Sequence, residues 1–248
     1  INISEDSIEY ERCDCNKSKE YWKEKDNKEY EMQKRKRLRN IINTIYKKNY
    51  VERKLQEKNL ENFYFDFSNK HVLDVVKDYI NKNKETMQAD SLIIMGKSEV
   101  GKTHLAAAIA NKLIENNKIV LIDRLTNLLD RIRETYENNT KSENELIDLY
   151  SNVDMLIKKG EKVFLLGPNG CGKTTEKISN WALEKLYTII QNRYENRLPI
   201  IITTRFNKEG LIERFSYSKD PDLVDAIISK LYQMCFGIKL KSMKKELV

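Results

Sequence analysis

Apolar residues follow two rhythms along this chain, and their alternation predicts a layered α/β protein. Short continuous apolar runs read as buried strands: Leu92–Met95, the run within Lys118–Arg124, the stretch starting at Val153 and ending at Ile157, Val163–Leu166 and Leu198–Thr204. Between them lie stretches with apolar residues at helical spacing. Val72, Val75, Val76 and Ile80 mark one helix over Asn69–Lys84; Leu105, Ala108, Ile109 and Leu113 mark another. Thr126–Glu137, the segment carrying Ile178, Trp181, Ala182, Leu186, Ile189 and Ile190, and Leu223–Phe236 read the same way, the last preceded by a short segment Lys208–Phe215 and a loop Ser216–Asp222. Strands alternating with helices predict a parallel sheet covered on both faces.

Residues 1–59 break this pattern. They are polar and charged, lack Gly and Pro, and predict a helical extension with Glu20–Asn59 as charged helix. Residues 60–240 form the expected α/β domain and 241–248 a basic tail. Within the extension, Lys34–Arg39 is a basic run, suited to a solvated face or to a phosphate backbone. Cys13 and Cys15 supply half of a four-ligand zinc set, or two free thiols. Leu60–Phe67 is dense in aromatics, suited to packing on the domain edge or near a nucleotide base.

The motif with the clearest chemistry is Gly96–Thr103, which fits G-x-x-x-x-G-K-[ST] between a strand and an alanine-rich helix. Glycines let backbone N–H groups close around phosphate oxygens, and the helix N-terminus adds partial positive charge. The candidate nucleotide-binding set is Gly96, Lys97, Ser98, Glu99, Val100, Gly101, Lys102, Thr103 and His104. Lys102 is placed to reach the β and γ phosphates of ATP, and Thr103 to hold Mg²⁺. Glu99 puts a carboxylate inside a loop built for anions; facing inward, it would repel them.

A second loop of this kind lies at Gly167–Thr174, with Gly167, Asn169, Gly170, Gly172, Lys173, Thr174 and Thr175 as its candidate phosphate-binding residues. Its local match is the better one, since Gly170 stands where the first loop has Glu99. Its context is worse. An ATPase of this class needs a later strand ending in acids, to support Mg²⁺ and polarise the attacking water. The only good strand after Thr175 ends in Thr203, Thr204 and Arg205. The strand ending at Ile157 runs into Lys158 and Lys159. Asp123 ends an apolar run literally, and is a candidate acid on the strand directly after the first loop's helix.

Composition narrows the setting. The 248 residues are 40% hydrophobic, enough for a core, and carry a net charge of +7. That charge fits nucleic acid or an acidic protein, and equally a lysine-rich bias. No apolar run approaches membrane length and no signal-peptide pattern is visible. Four cysteines without a repeating framework fit a reducing, cytoplasmic setting. No helix-turn-helix or zinc-finger pattern supports sequence-specific DNA binding.

Taken together, the run from Gly96 to Leu113, the aromatic stretch Asn62–Phe67, Leu128–Arg133 and Pro199–Thr204 resemble the bacterial helicase-loader ATPases of the DnaC/DnaI type and the related IstB transposition ATPases. The resemblance covers roughly residues 10–240. It implies an AAA+/RecA-like P-loop NTPase sheet that binds ATP and Mg²⁺ and acts with a replicative DNA helicase and single-stranded DNA, with no membrane partner. Cys13 and Cys15 look like the latter half of the family's cysteine cluster. Where the family has an acidic strand end after Ile157, Lys158–Thr175 instead resembles the P-loop of an ABC-transporter ATPase, as if grafted. No Leu-Ser-Gly-Gly-Gln-like signature accompanies it. Arg205 replaces the family's usual Asn, and Ser229-Lys230-Leu231 its Ser-Arg-Leu, so Lys230 is a weakened candidate for sensing the γ-phosphate. Arg214 is a candidate finger acting on a neighbour's nucleotide in a homo-oligomer. The implied protein binds ATP but hydrolyses it poorly. The alternative from another class is a non-enzymatic adaptor, holding a protein partner or single-stranded DNA through its basic N-terminal helix.

Overall fold

The structure is a computed structural model that describes residues 2–4, 7–9, 13–48, 53–63, 69–85, 90–138, 143–159, 180–215 and 220–241. The chain divides into two compact units, Ile1–Lys48 and Asn49–Val248.

In the first unit, strands β1 (Asn2–Ser4) and β2 (Ser7–Glu9) pair antiparallel, with Ile3 opposite Ile8. Helix α1 (Asn16–Lys48) comes next, 33 residues long. The sequence pattern does not predict the hairpin, because three-residue strands are too short to show a period. Lys, Glu and Arg are good helix formers, and Lys28 pairs with Glu24 one turn away at 2.6 Å. The expected helix does not run on to Asn59. A separate single turn, α2 (Arg53–Gln56), belongs to the second unit, where its carbonyl groups are held from another helix.

The second unit contains α3 (Lys70–Glu85), β3 (Ser91–Gly96), α4 (Lys102–Glu115), β4 (Val120–Arg124) and α5 (Leu125–Asn138). Next come α6 (Glu143–Asn152), β5 (Met155–Lys159), α7 (Asn180–Glu195) and β6 (Ile200–Thr204). Helices α8 (Lys208–Phe215) and α9 (Pro221–Met234) lead to β7 (Cys235–Leu240). The five strands form one parallel sheet in the order β4-β5-β6-β3-β7. From β3 the chain crosses to the far edge, returns through β5 and β6, and ends on the other side of β3. This is the α/β P-loop architecture expected, with its switch in strand order beside β3.

The core explains the sequence pattern. Leu92 and Ile94 of β3, Ile157 of β5 and Ile201 of β6 are fully buried, together with Leu105, Ile109 and Leu113 of α4 and Val72 of α3. Helix α9 starts on Asp220, whose Oδ1 accepts from Leu223 N at 3.0 Å, with Pro221 in the first turn.

Strand β7 is a correction to the apolar pattern, which predicts helix through to Phe236. The helix stops at Met234, and Cys235–Leu240 pairs with all six residues of β3. Burial inside the sheet decides between the two: Ile238 and Leu240 alternate into the core, while Gly237 and Lys239 are exposed.

One buried side chain fastens the end of the sheet away from the P-loop. Arg193 on α7 is fully buried, and its guanidinium donates to the carbonyls of Tyr150 (3.1 Å), Val153 (3.0 Å) and Pro199 (2.5 Å). These carbonyls lie just before β5 and β6. Burial pulls the arginine pKa down to about 9, still high enough to keep it charged at neutral pH. Replacing Arg193 with leucine orphans several buried carbonyls, each worth about 1–3 kcal/mol. Arg193→Leu is therefore expected to lower stability by about 3 kcal/mol or more, read as a lower urea midpoint at unchanged slope.

Candidate functional site

The Gly96–Thr103 loop joins the C-terminal end of β3 to the start of α4, at the switch in strand order. Its two glycines are sterically required. A Cβ on Gly96 would lie 2.7 Å from Leu240 O and 2.8 Å from Val100 Cγ2. Gly101 has φ 89°, in the left-handed region, and a Cβ there would lie 2.7 Å from Phe63 Cε2. The Lys102 side chain is buried, and its Nζ donates back across the loop to Lys97 O at 2.5 Å. Thr103 is half-buried in the first turn of α4, which contains no acidic residue. Glycine-shaped backbone, a buried lysine and a helix N-terminus free of carboxylates suit a polyphosphate with its cation. Glu99 also sits at positive φ, 68°, and is exposed, as are Lys97 and Ser98. Val100 is buried beneath the loop.

No sequence pattern marks the turn that braces this loop from behind. Asn59 and Asn62 bond reciprocally: Asn59 N donates to Asn62 Oδ1 at 3.0 Å, and Asn62 N donates to Asn59 Oδ1 at 2.6 Å. His104 Nε2 faces both Asn59 O (3.1 Å) and Asn62 Oδ1 (2.7 Å). Both are acceptors, so the proton sits on Nε2. Burial holds the His104 pKa below its ordinary value, with Lys58 adding to the effect and the Asn59 carbonyl opposing it. Phe63 meets the imidazole edge-on at 5.2 Å. Seven residues further along α4, Asn111 Nδ2 donates to Leu55 O (2.8 Å) and Lys58 O (2.7 Å). The aromatic stretch thus begins against the P-loop helix; residues 64–68 lie outside the described residues.

Asp123 is the last residue but one of β4, the edge strand, with β5 and β6 between it and β3. Its Oδ1 accepts from Arg124 N (2.8 Å) and Asn127 Nδ2 (3.0 Å), and its Oδ2 from Arg131 and the Tyr150 hydroxyl. Arg131 also donates to Tyr150 at 2.9 Å. Burial, followed by the neighbouring carboxylate, pushes the Tyr150 pKa well above its ordinary value. With four donors around it, this carboxylate anchors the start of α5.

The other candidates are dispersed. Lys158 and Lys159 end β5, where Lys159 pairs in register with Thr203 of β6, which in turn pairs with Ile94 of β3. Thr203 and Thr204 are buried, and the exposed Arg205 lies over the Phe206 ring at 4.9 Å. Lys230 on α9 lies 5.1 Å from the Tyr194 ring and 5.8 Å from the Tyr187 ring, both on α7. Arg214 is on α8. Gly167, Asn169, Gly170, Gly172, Lys173, Thr174 and Thr175 lie outside the described residues. Cys13 and Cys15 are exposed, with Cys15 N donating to Cys13 Sγ at 3.4 Å. Among the described residues no cluster of three His, Cys, Asp or Glu suits a metal, and no helix is long and apolar enough to cross a membrane.

Comparison with known proteins bears on the family and the fold. The family described as IstB-like ATP binding protein matches residues 27–246. The replicative helicase loader DnaC of Buchnera aphidicola is 38% identical over 99 residues, 39% of each chain. The replicative helicase loader DnaI of Bacillus subtilis is 27% identical over 150 residues, 60% of this chain and 42% of that protein. Both of these matches span less than half of the relative's length. A crystal structure of DnaI superposes with a TM-score of 0.59 at 21% identity, covering 77% of this chain and 95% of that one.

The Asp123 network generates a prediction. Removing one partner of a buried, hydrogen-bonded ion pair costs about 3–5 kcal/mol. Asp123→Leu is expected to lose stability in that range by urea denaturation, whereas its nucleotide affinity, measured under folded conditions, stays within about threefold of the parent.

Proposed function

The chain belongs to the IstB-like ATP binding family, and on that footing we propose that it binds ATP at Gly96–Thr103 and serves as a helicase-loader-type protein in DNA replication. The observation that carries this reading is the loop itself, two sterically required glycines and a buried lysine at the switch point of a parallel sheet. Backbone N–H groups from Lys97 to Thr103 surround the phosphates. Lys102 exchanges its Lys97 carbonyl partner for β- and γ-phosphate oxygens. Thr103 supplies the hydroxyl ligand for Mg²⁺, which offsets phosphate charge when bound.

Hydrolysis draws on other groups. An acid is needed at the end of the strand beside β6 to orient water, and lysines 158 and 159 end that strand. A charged lysine neither ligates Mg²⁺ nor accepts the water's proton. Asp123 is bound up on the edge strand. Asp154 lies just before β5, at its opposite end, where its Oδ2 accepts from Ile119 N at 2.8 Å. The proposed state is therefore ATP-bound with slow turnover.

The partners proposed are a replicative helicase, from the names of the relatives, and single-stranded DNA. The exposed Lys36, Arg37 and Arg39 on α1 suit a phosphate backbone. Arg133, 5.3 Å from the Trp181 ring, with the exposed Tyr136 nearby, suits stacked bases. A homo-oligomer belongs to the same proposal, since Arg214 as a finger acts on a neighbour's nucleotide. The same exposed basic run on α1 favours the second reading, an adaptor that uses the P-loop fold as scaffold.

Nucleotide-dependent stability separates these readings. ATP at a hundred times its Kd is expected to add about 2.7 kcal/mol, to lose this effect in Lys102→Ala, and to keep it in Lys173→Ala. The reverse pattern would move the site to the second loop, and no stabilisation at all favours the adaptor. For turnover, phosphate release with and without single-stranded DNA is expected well below about 1 s⁻¹, the floor of the usual enzyme range. A variant with both Lys158 and Lys159 replaced by Asp is the comparison. Turnover near that floor in the parent chain would refute the hydrolysis-deficient reading.

A further inference from the structure

We propose that His104 is a positioning residue for nucleotide binding: it ties the Asn59–Asn62 turn to the first turn of α4 and so holds the Phe63 ring against Gly101. The inference rests on ATP binding at Gly96–Thr103. It assigns His104 a role behind the loop rather than on the phosphates.

Three observations converge. The single proton on Nε2 is shared between Asn59 O and Asn62 Oδ1, so the imidazole is a direct polar link between the P-loop helix and the turn. The Asn59–Asn62 pair is closed on itself by two hydrogen bonds, and Asn62 Nδ2 donates a third to Glu57 O at 2.8 Å. The turn is thus a preformed unit that moves as one piece. Finally, Phe63 directly follows Asn62 and is buried between the imidazole and Gly101, leaving no room for even a methyl group on the glycine.

Gly101 is the residue whose left-handed conformation turns the loop into α4. Its far side is walled by Phe63, and the position of that wall is set by His104. Asn111, seven residues on and therefore on the same helix face, pins the preceding turn through the carbonyls of Leu55, Gln56 and Lys58. Leu55 and Gln56 end the four-residue helix α2 and Lys58 lies two residues beyond it; Leu55 O also accepts from Lys58 N at 3.2 Å, so Asn111 adds to a turn that already closes on itself. The segment is held at two points along α4, and the one nearer the phosphates is His104. Loosening it leaves the loop's N–H groups less preorganised, which weakens binding without touching a ligand contact.

Glutamine is the conservative replacement, because its Nε2 amide can stand where the imidazole Nε2–H stands; leucine keeps bulk and removes the donor. The experiment titrates a fluorescent ATP analogue with Mg²⁺ into the full chain and into His104→Leu, His104→Gln, Asn62→Ala and the His104→Leu/Asn62→Ala double variant. Urea midpoints are measured alongside. The expected result is about tenfold weaker binding for His104→Leu and for Asn62→Ala. His104→Gln should recover most of the loss, and the double variant should be no weaker than either single one. Unchanged affinity in His104→Leu, no recovery in His104→Gln, or additive losses would overturn the proposal while leaving the binding site standing. Failure of the parent chain itself to bind would overturn both. A weakened variant whose urea midpoint has fallen is judged by Asn62→Ala and by the glutamine recovery, which global destabilisation does not produce.

Discussion

The P-loop begins where the backbone of Gly96 passes the end of β7 with no room for a side chain. Leu240 O stands 2.7 Å from where a Cβ would be. That close approach depends on the whole length of β7, which pairs with β3 from Ser91 opposite Cys235 to Gly96 opposite Leu240. This same end of β7 is fixed in turn. Asn69, just before α3, receives Lys241 N at 3.0 Å and donates to Lys241 O at 3.3 Å. A buried side-chain amide thus continues the strand pairing by one residue. The C-terminal strand and the residue before α3 together set the position from which the loop departs.

Several buried polar groups gather at the end of the sheet away from the P-loop. Arg193 gathers carbonyls ahead of β5 and β6, and Asp154 takes Ile119 N ahead of β4. Ser91 Oγ accepts Ile200 N at the start of β6. These groups satisfy backbone that enters the sheet, and their removal costs stability. At the opposite end, the buried Lys102 places its ammonium on a carbonyl of the loop itself. A buried ammonium has three donors to satisfy, and one held on loop backbone rather than on the sheet is the arrangement expected of a group that changes partner.

The strands and helices of the sheet domain are legible in the sequence because burial on both faces forces continuous apolar runs, and the runs at β3, β4 and β6 stand where the pattern predicts them. The P-loop is legible because glycine and lysine are needed at fixed spacing. Strand β7 is not, since Cys-Phe-Gly-Ile-Lys-Leu directly continues an apolar helix and only pairing with β3 distinguishes the two. Nor are Arg193, His104 or the Asn59–Asn62 turn, whose tertiary partners lie 6 to 45 residues away and follow no periodic rule. Asp123 is a candidate in the sequence only because it follows an apolar run; its surroundings are legible only in the fold, where the strand order puts it at the sheet edge, inside a network with Arg131 and Tyr150.

Phosphate binding and hydrolysis reach the site by different routes through the chain. Everything proposed to grip phosphate comes from one continuous strand–loop–helix, Ser91 to Glu115, braced by the turn just upstream. The groups that orient water must come from the ends of β5 and β6, which the sheet brings beside β3 from about 60 and more residues downstream. The parallel pairing that aligns Ile157 with Ile201, and Ile201 with Leu92, depends on the apolar residues within the strands and not on the residues that terminate them. The end of β5 is therefore free to change without disturbing the register of the sheet or the shape of the loop. Lys158 and Lys159 extend β5 in register with β6 while offering no acid, and this is the observation on which the proposed slow turnover rests.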